Sequence, residues 1–283
     1  LQALFNKNSI NFSGKLISLA QPKVMGILNI TPDSFFELSR IGSADNLLAQ
    51  AEKMIVDGAS FLDIGGQSTR PGATLISAEE ELERVIPAIS LLNNHFPEVI
   101  LSIDTFYARV AKEAVAAGAK MVNDISAGDI DEEMFPLLGN LGVPYIMMHK
   151  KGMPINMQDG PVYADIVLEI VDYFAAKIEK LRALGVTDII LDPGFGFGKT
   201  LENNYQLLQK LDRFKLFELP LLLGVSRKSM VQKVLNVSAS ESLNGTTALH
   251  MIALERGAKI LRVHDVKEAV ECVKLFQSLA NID

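Results

Sequence analysis

Short aliphatic runs alternate with longer stretches of helical period eight times along the chain, and this rhythm restricts the fold more than any single residue does. The runs are VMGILNI (24–30), SFLDIGG (60–66), VILSIDT (99–105), AKMVNDI (119–125), VPYIMMH (143–149), TDIILDP (187–193), LPLLLGV (219–225) and AKILRVH (258–264). They are apolar on both faces, as strands of a parallel sheet covered by helices are. The intervening stretches carry helix punctuation. Ser43 precedes ADNLLAQAEKMIVD, whose Leu47, Leu48, Ala51, Met54 and Ile55 fall on one stripe, with Gly58 at the C′ position. Ser77 with Glu80 reads as a capping box, and Pro87 in the stretch that follows predicts a kink. Gly118, Gly142, Gly185 and Gly257 each follow a helical run and precede a strand, and Asp265 with Glu268 opens the last helix.

Eight strand–helix units in 283 residues predict an α/β chain folded as a (β/α)8 TIM barrel. The alternative is an open doubly wound sheet. An open sheet would concentrate polar residues at one or two crevices, whereas here they gather at the C-terminal end of every run. Residues 1–283 read as a single domain. Residues 1–22 fall outside the repeat as an N-terminal extension, in which SINFSGKLISLAQP has the alternation of a hairpin, expected to cap the bottom of the barrel.

Composition narrows the function. With 48% hydrophobic and 22% charged residues a sizeable core is expected. The net charge of -7 lacks the basic face that nucleic acid requires. No apolar run approaches the roughly 20 residues that span a bilayer, so no membrane partner is expected. The first residues lack a secretion signal, and Leu1 reads as a trimmed terminus. The one cysteine, Cys272, cannot form an internal disulfide and reads as core, which fits a reducing, cytoplasmic location.

In a barrel of this kind the loops after the strands converge on one mouth, and the residues delivered there sort by chemistry. Asp104, Asn123 and Asp192 end their runs in apolar surroundings with no lysine or arginine adjoining them in sequence. Buried carboxylates need partners. A ligand with a planar face of N–H donors, such as an aminopyrimidine ring, would satisfy them. Capping of the next helix is the plainer reading for Asp104. Asn29, Ser68, Thr69, Arg70, Arg262 and His264 are anion-seeking and suit a phosphate or pyrophosphate, with Asn29 placed to support a divalent ion bridging the phosphates. His264 by itself reads as structural, and its pairing with Arg262 along one strand raises the functional reading. DPGFGFGKT (192–200) lacks P-loop spacing; its glycines flank Phe195 and Phe197 and would hold an aromatic over a flat ligand. Of Arg227 and Lys228, one is expected at the surface and the other at the ligand. Met147, delivered by the fifth run, is counted among the substrate-binding positions.

In this order, MGILNITPDSF, DIGGQSTRPG, SIDT, VNDIS, DPGFGFGKT, GVSRKS and RVHD resemble the dihydropteroate synthases of the folate pathway, from about Pro22 to the last helix. The resemblance implies condensation of 6-hydroxymethyl-7,8-dihydropterin pyrophosphate with p-aminobenzoate, with Mg2+ as cofactor, and a homodimer. It implies that Asp104, Asn123, Asp192 and Lys228 hold the pterin. Asn29, Arg262 and His264 would hold pyrophosphate and magnesium. Phe35, Thr69, Arg70, Pro71, Phe197 and Ser226 would shape the p-aminobenzoate side, with the first two loops closing over it; sulfonamides compete there in the family. Two positions depart from the pattern: Gln67, where a glutamate is expected, and Lys150, where an apolar residue is. A pterin-dependent methyltransferase would share the barrel and the acids without needing STRPG, SRKS and RVHD together. A non-catalytic pterin-binding protein would have lost loop residues that this chain keeps.

Overall fold

The computed structural model describes residues 9–12, 14–30, 43–67, 75–152 and 161–280. An antiparallel hairpin, β1 (Ser9–Phe12) and β2 (Lys15–Ser18), comes first. The barrel strands are β3 (Lys23–Asn29), β4 (Phe61–Gly65), β5 (Ile100–Asp104), β6 (Met121–Asp124), β7 (Tyr145–Met148), β8 (Ile189–Asp192), β9 (Leu221–Leu223) and β10 (Ala258–Val263). They pair in parallel in that order, and β10 closes on β3. The eightfold rhythm is therefore a closed barrel and not an open sheet. The described α-helices are α1 (Ser43–Val56), α2 (Ala78–His95), α3 (Ala108–Ala116), α4 (Met134–Leu141), α5 (Ile166–Ala183), α6 (Leu201–Gln209), α7 (Ser229–Leu235), α8 (Leu243–Glu255) and α9 (Val266–Ala280), with a 3-10 helix at Leu211–Phe217.

Side-chain alternation divides each strand between two cores. Outward residues such as Leu28, Ile64, Ile103, Val122, Tyr145, Leu191 and Leu261 pack under the helices. Inward residues Met25, Phe61, Ile100, Met121, Ile146, Ile190, Leu222 and Ile260 fill the lower barrel together with Ile10, Phe12 and Leu19 of the hairpin. Phe12 lies 5.9 Å from Phe61, ring to ring, and Asn11 N–H donates to Asp188 Oδ1 at 3.1 Å. The hairpin thus plugs the bottom as the sequence predicts, leaving the inward positions nearer the strand C-termini to polar groups.

Helix punctuation holds with informative exceptions. Gly58, Gly118, Gly142, Gly185 and Gly257 all have positive φ. Only half of the predicted capping box forms: Ser77 Oγ accepts from Glu80 N–H at 3.2 Å, while the Glu80 carboxylate turns to Arg84. Pro87 sits inside α2 on its exposed face. Asp265 accepts Ala269 N–H through its backbone carbonyl only, because its carboxylate binds Arg227. Cys272 is buried, as its apolar setting implies.

Candidate active site

The inward phase of the strands collects Asp63 from β4, Asp104 from β5, Asn123 from β6, Asp192 from β8 and Arg262 from β10 around the barrel mouth. Arg262 reaches across the barrel. Its Nε donates to Asp63 Oδ2 at 2.6 Å and its Nη2 to Asp104 Oδ2 at 2.6 Å. Asn123 Nδ2 donates to the same Asp63 oxygen at 2.8 Å. Asp63 Oδ1 is buried with no partner among the described residues. No cation adjoins these acids in sequence, but the fold brings one to Asp104 and Asp63 from the last strand, Arg262. Burial raises the Asp104 carboxyl, against the pull of Arg262. Burial alone would lower Arg262, but Asp63 and Asp104 hold its guanidinium firmly charged. Asp104 does not cap α3, whose first N–H, at Ala108, donates to Asp131 Oδ2 at 2.7 Å.

Asp192 and Lys228 form the opposite wall. Asp192 Oδ1 accepts from Gly194 N–H at 2.7 Å. Burial raises its carboxyl while Lys228 opposes the rise. The Lys228 ammonium donates to Phe195 O and lies 4.5 Å from the centre of the Phe197 ring. Burial draws Lys228 down to about 8, with Asp192 resisting. Phe197 is half-buried beside Phe106, Ile125 and Met148, whereas Phe195 is fully buried in the outer core. Arg227 and Lys228 part company in the structure. Arg227 turns to Asp265, with its Nε 2.9 Å from Oδ2 and its Nη2 2.5 Å from Oδ1, leaving Lys228 at the mouth.

Ser226 and His264, after β9 and β10, meet each other. His264 is exposed; its Nδ1 lies 3.2 Å from Ser226 Oγ, which also accepts His264 N–H at 3.2 Å. Asn29 is exposed at the end of β3. A Cβ at Gly65 would lie 3.7 Å from Asp104 Oδ2 and 3.8 Å from Asn29 Oδ1, which places Gly65 between these two side chains. Among the described residues no group of three or more His, Cys, Asp or Glu could hold a metal ion. A neutral Asn29 oxygen fits a hard cation only where phosphate oxygens complete its shell. Phe35, Thr69, Arg70 and Pro71 lie outside the described residues.

Met147 requires a correction. It is fully buried in the outer core, because Asn123, Ile146 and Met148 point inward while Asp124 and Met147 point outward. Met148, paired in register with Asp192, is the methionine that meets Phe197. Sequence reasoning gave no role to Asp63, although its inward phase with Phe61 was legible, nor to Lys199 and Glu81, whose partners are distant. The buried Glu81 accepts from Thr105 Oγ1 at 2.9 Å, and burial pushes it up to about 8 against that bond. Gln67 Oε1 accepts Ile76 N–H at 3.1 Å, joining the two ends of the loop after β4, and Lys150 donates to Gly152 O at 3.1 Å.

Comparison with known proteins agrees with this geometry. The sequence model of the family described as "Pterin binding enzyme" matches residues 25–264. The dihydropteroate synthase of Escherichia coli strain K12 is 43% identical over 267 residues, 94% of each chain. That of Synechocystis is 44% identical over 90% of this chain and 89% of its own. Among solved structures, the Yersinia pestis dihydropteroate synthase with a sulfonamide drug complex superposes with a TM-score of 0.91 at 43% identity, covering 97% of this chain and 100% of that one. The Xanthomonas albilineans dihydropteroate synthase with 4-aminobenzoic acid gives 0.89 at 37% identity, covering 98% and 99%. On the barrel, the motifs and these likenesses, the chain belongs to the dihydropteroate synthase family of pterin-binding enzymes.

Proposed function

We propose that this chain condenses 6-hydroxymethyl-7,8-dihydropterin pyrophosphate with p-aminobenzoate, giving 7,8-dihydropteroate and pyrophosphate for folate synthesis. The observation that carries this reading is the pair of facing walls, Asp104–Arg262–Asp63–Asn123 and Asp192–Lys228, across one barrel mouth. A pterin lying between them would offer N–H donors to Asp104 and Asp192 and its ring carbonyl to Lys228, with Asn123 closing the edge. The further N–H donors of Arg262, with the Ser226-held His264, face the diphosphate. Asn29 would hold Mg2+ against the diphosphate, and the ion would supply neutralisation of its charge.

In the substitution the bond between the methylene carbon and the pyrophosphate oxygen breaks, and its electron pair leaves on the oxygen. Arg262 and His264 stabilise that departing charge. The positive charge left on the methylene spreads into the pterin, where anionic Asp104 and Asp192 favour it. The aniline nitrogen then attacks and loses its proton, so no covalent enzyme intermediate forms. Phe197 and Ser226, with Phe35, Thr69, Arg70 and Pro71 as family resemblance implies, shape the p-aminobenzoate side, where sulfonamides would compete. Ile252, Leu275 and Leu279 expose apolar surface on α8 and α9, which supports a homodimer through the last helices. The buried lone cysteine supports a cytoplasmic location, and among the described residues no helix is long and apolar enough to cross a membrane.

The test is pyrophosphate release from the pterin substrate with Mg2+, with and without p-aminobenzoate, in wild type and Arg262→Ala. Release coupled to dihydropteroate formation, and sharply reduced in the variant, is expected. Pterin binding without turnover would move the assignment to a methyltransferase or a non-catalytic binding protein.

A further inference from the structure

Lys199 is a lysine that the site described above does not use. It is 3% exposed. Its ammonium reaches Gly194 O at 2.8 Å, Phe197 O at 3.1 Å, His149 O at 3.3 Å and His149 Nδ1 at 3.1 Å. These partners are three carbonyls and an imidazole, not a carboxylate, and they belong to two loops, those after β7 and β8. Burial pushes His149 down to about 2, so its neutral ring accepts from the lysine at Nδ1. The two loops touch backbone to backbone. A Cβ on Gly194 would stand 1.9 Å from His149 O, and one on Gly198 would stand 2.1 Å from Lys151 O.

The gripped segment is the one that faces the ligands. Gly194 offers its carbonyl to Lys199 and its N–H to Asp192. Phe197 offers its carbonyl to Lys199 and its ring to the Lys228 ammonium. Asn204 adds a second brace from behind: its Oδ1 accepts Gly196 N–H at 2.7 Å, and its Nδ2 donates to Thr200 O at 2.7 Å. Lys228 takes Phe195 O from the mouth side. One short glycine-rich loop is therefore held by two lysines from opposite sides, and only one of them is open to the mouth.

We propose that Lys199 is a positioning residue that locks the loop after β8 onto the loop after β7 and thereby fixes Asp192 and Phe197 for the pterin and its partner substrate. The proposal rests on the synthase reading. Without the ammonium, three inward-facing carbonyls lose their donor. The Gly194 N–H that holds Asp192 then moves with the released loop. Lys199 acts through Asp192, so its effect on pterin binding must vanish once Asp192 can no longer function.

A double-mutant cycle tests this. The dissociation constant of 6-hydroxymethyl-7,8-dihydropterin pyrophosphate is measured by calorimetry for wild type, Lys199→Met, Asp192→Asn and the double variant. Lys199→Met is expected to weaken binding about tenfold in the wild-type background and less than about twofold in the Asp192→Asn background. Multiplicative losses, or an unchanged constant in Lys199→Met, would overturn the proposal. A general loosening of the barrel lowers the active fraction equally in both backgrounds and so gives the multiplicative result. If Lys199→Met does not fold, Lys199→Gln, which keeps two N–H donors, takes its place in the same cycle with the same criteria. Wild-type turnover, measured alongside, tests the synthase reading separately: its absence refutes that reading whatever the cycle shows.

Discussion

Replacing Arg262 with methionine should expose the energetic role of the acid network independently of catalysis. The side chain keeps much of its volume and loses two charge-assisted hydrogen bonds of 2.6 Å. Asp63 is fully buried and Asp104 is 7% exposed, so both would be left as buried carboxyls without a cation, Asp63 keeping only its bond from Asn123. Breaking a buried pair from one side costs about 3–5 kcal/mol, a large fraction of the roughly 5–15 kcal/mol by which domains are stable. The cost should depend on pH. Burial already raises the folded pKa of Asp104 above its unfolded value of about 4, and losing Arg262 removes the charge that opposes the rise. Between those two values the folded state binds more protons than the unfolded one, so the variant loses stability as pH rises through that window. The assay is the urea unfolding midpoint of wild type and Arg262→Met from about pH 5 to about pH 8. The gap should widen toward pH 8, and Asp63→Asn added to Arg262→Met should recover part of it. A gap below about 1 kcal/mol, or one independent of pH, would show that the network contributes little.

Three further outcomes follow from individual residues. Glu81, pushed up to about 8 by burial, makes the folded state hold a proton that the unfolded state has released above its ordinary value. Glu81→Gln should therefore raise the melting temperature at pH 8 but not at pH 4.5, with about 5 kcal/mol as the upper bound; equal shifts at both pH values would contradict this. Lys228 should lose its proton near pH 8, so kcat/KM for the pterin substrate should fall above that pH, and Lys228→Arg should carry the basic limb upward; a limb that stays in place in Lys228→Arg belongs to another group. Gly194→Ala places a Cβ 1.9 Å from His149 O at a φ of +72°, and should cost more than about 3 kcal/mol in thermal or urea unfolding; a variant as stable as wild type would mean the two loops are not held together.

The barrel was legible because β-strands and helices leave periodic marks, and because inward phase can be counted from any one residue of a strand. Phe61, Asp63 and Gly65 alternate to one side, as do Asp104, Asn123 and Asp192 at the ends of their strands. Met147 was misplaced for want of that count on its strand, where Ile146 faces in and Met148 therefore does too. What the sequence hid was pairing at long range. Arg262 meets Asp63 and Asp104 across 199 and 158 residues, and no local pattern announces that contact. Lys199 was hidden for another reason: its partners are backbone carbonyls, which every residue carries. Asp265 shows local reasoning misled, since its helix-opening position is real while its carboxylate serves Arg227.

The long-range pairing also accounts for Asp63, a carboxylate that touches Arg262 and Asn123 and has no assigned contact with either substrate. Arg262 alone would place a positive charge beside the methylene where positive charge must develop. With ionised Asp63 and Asp104 bound to it, the trio would carry a net charge of about -1, so that on the proposed reading Asp104 would still present an anion to the pterin while Arg262 remained a donor to the diphosphate. Asp63→Asn isolates this effect. The amide oxygen can keep both bonds now made by Oδ2, and the amide nitrogen can take the place of Oδ1, which has no partner to lose. The shape is kept and one negative charge goes. Were the developing cation about 8 Å away at an effective dielectric constant of about 20, one charge acting on it would be worth about 2 kcal/mol, or about thirtyfold in rate. Single-turnover formation of dihydropteroate at saturating substrates should slow by about that factor, while the dissociation constant of the pterin substrate changes less than about threefold. A variant that turns over at the wild-type rate would leave Asp63 as a structural anchor for Arg262 and nothing more. One that loses pterin binding in proportion to rate would mean that the charge acts on the ground state and not on bond cleavage.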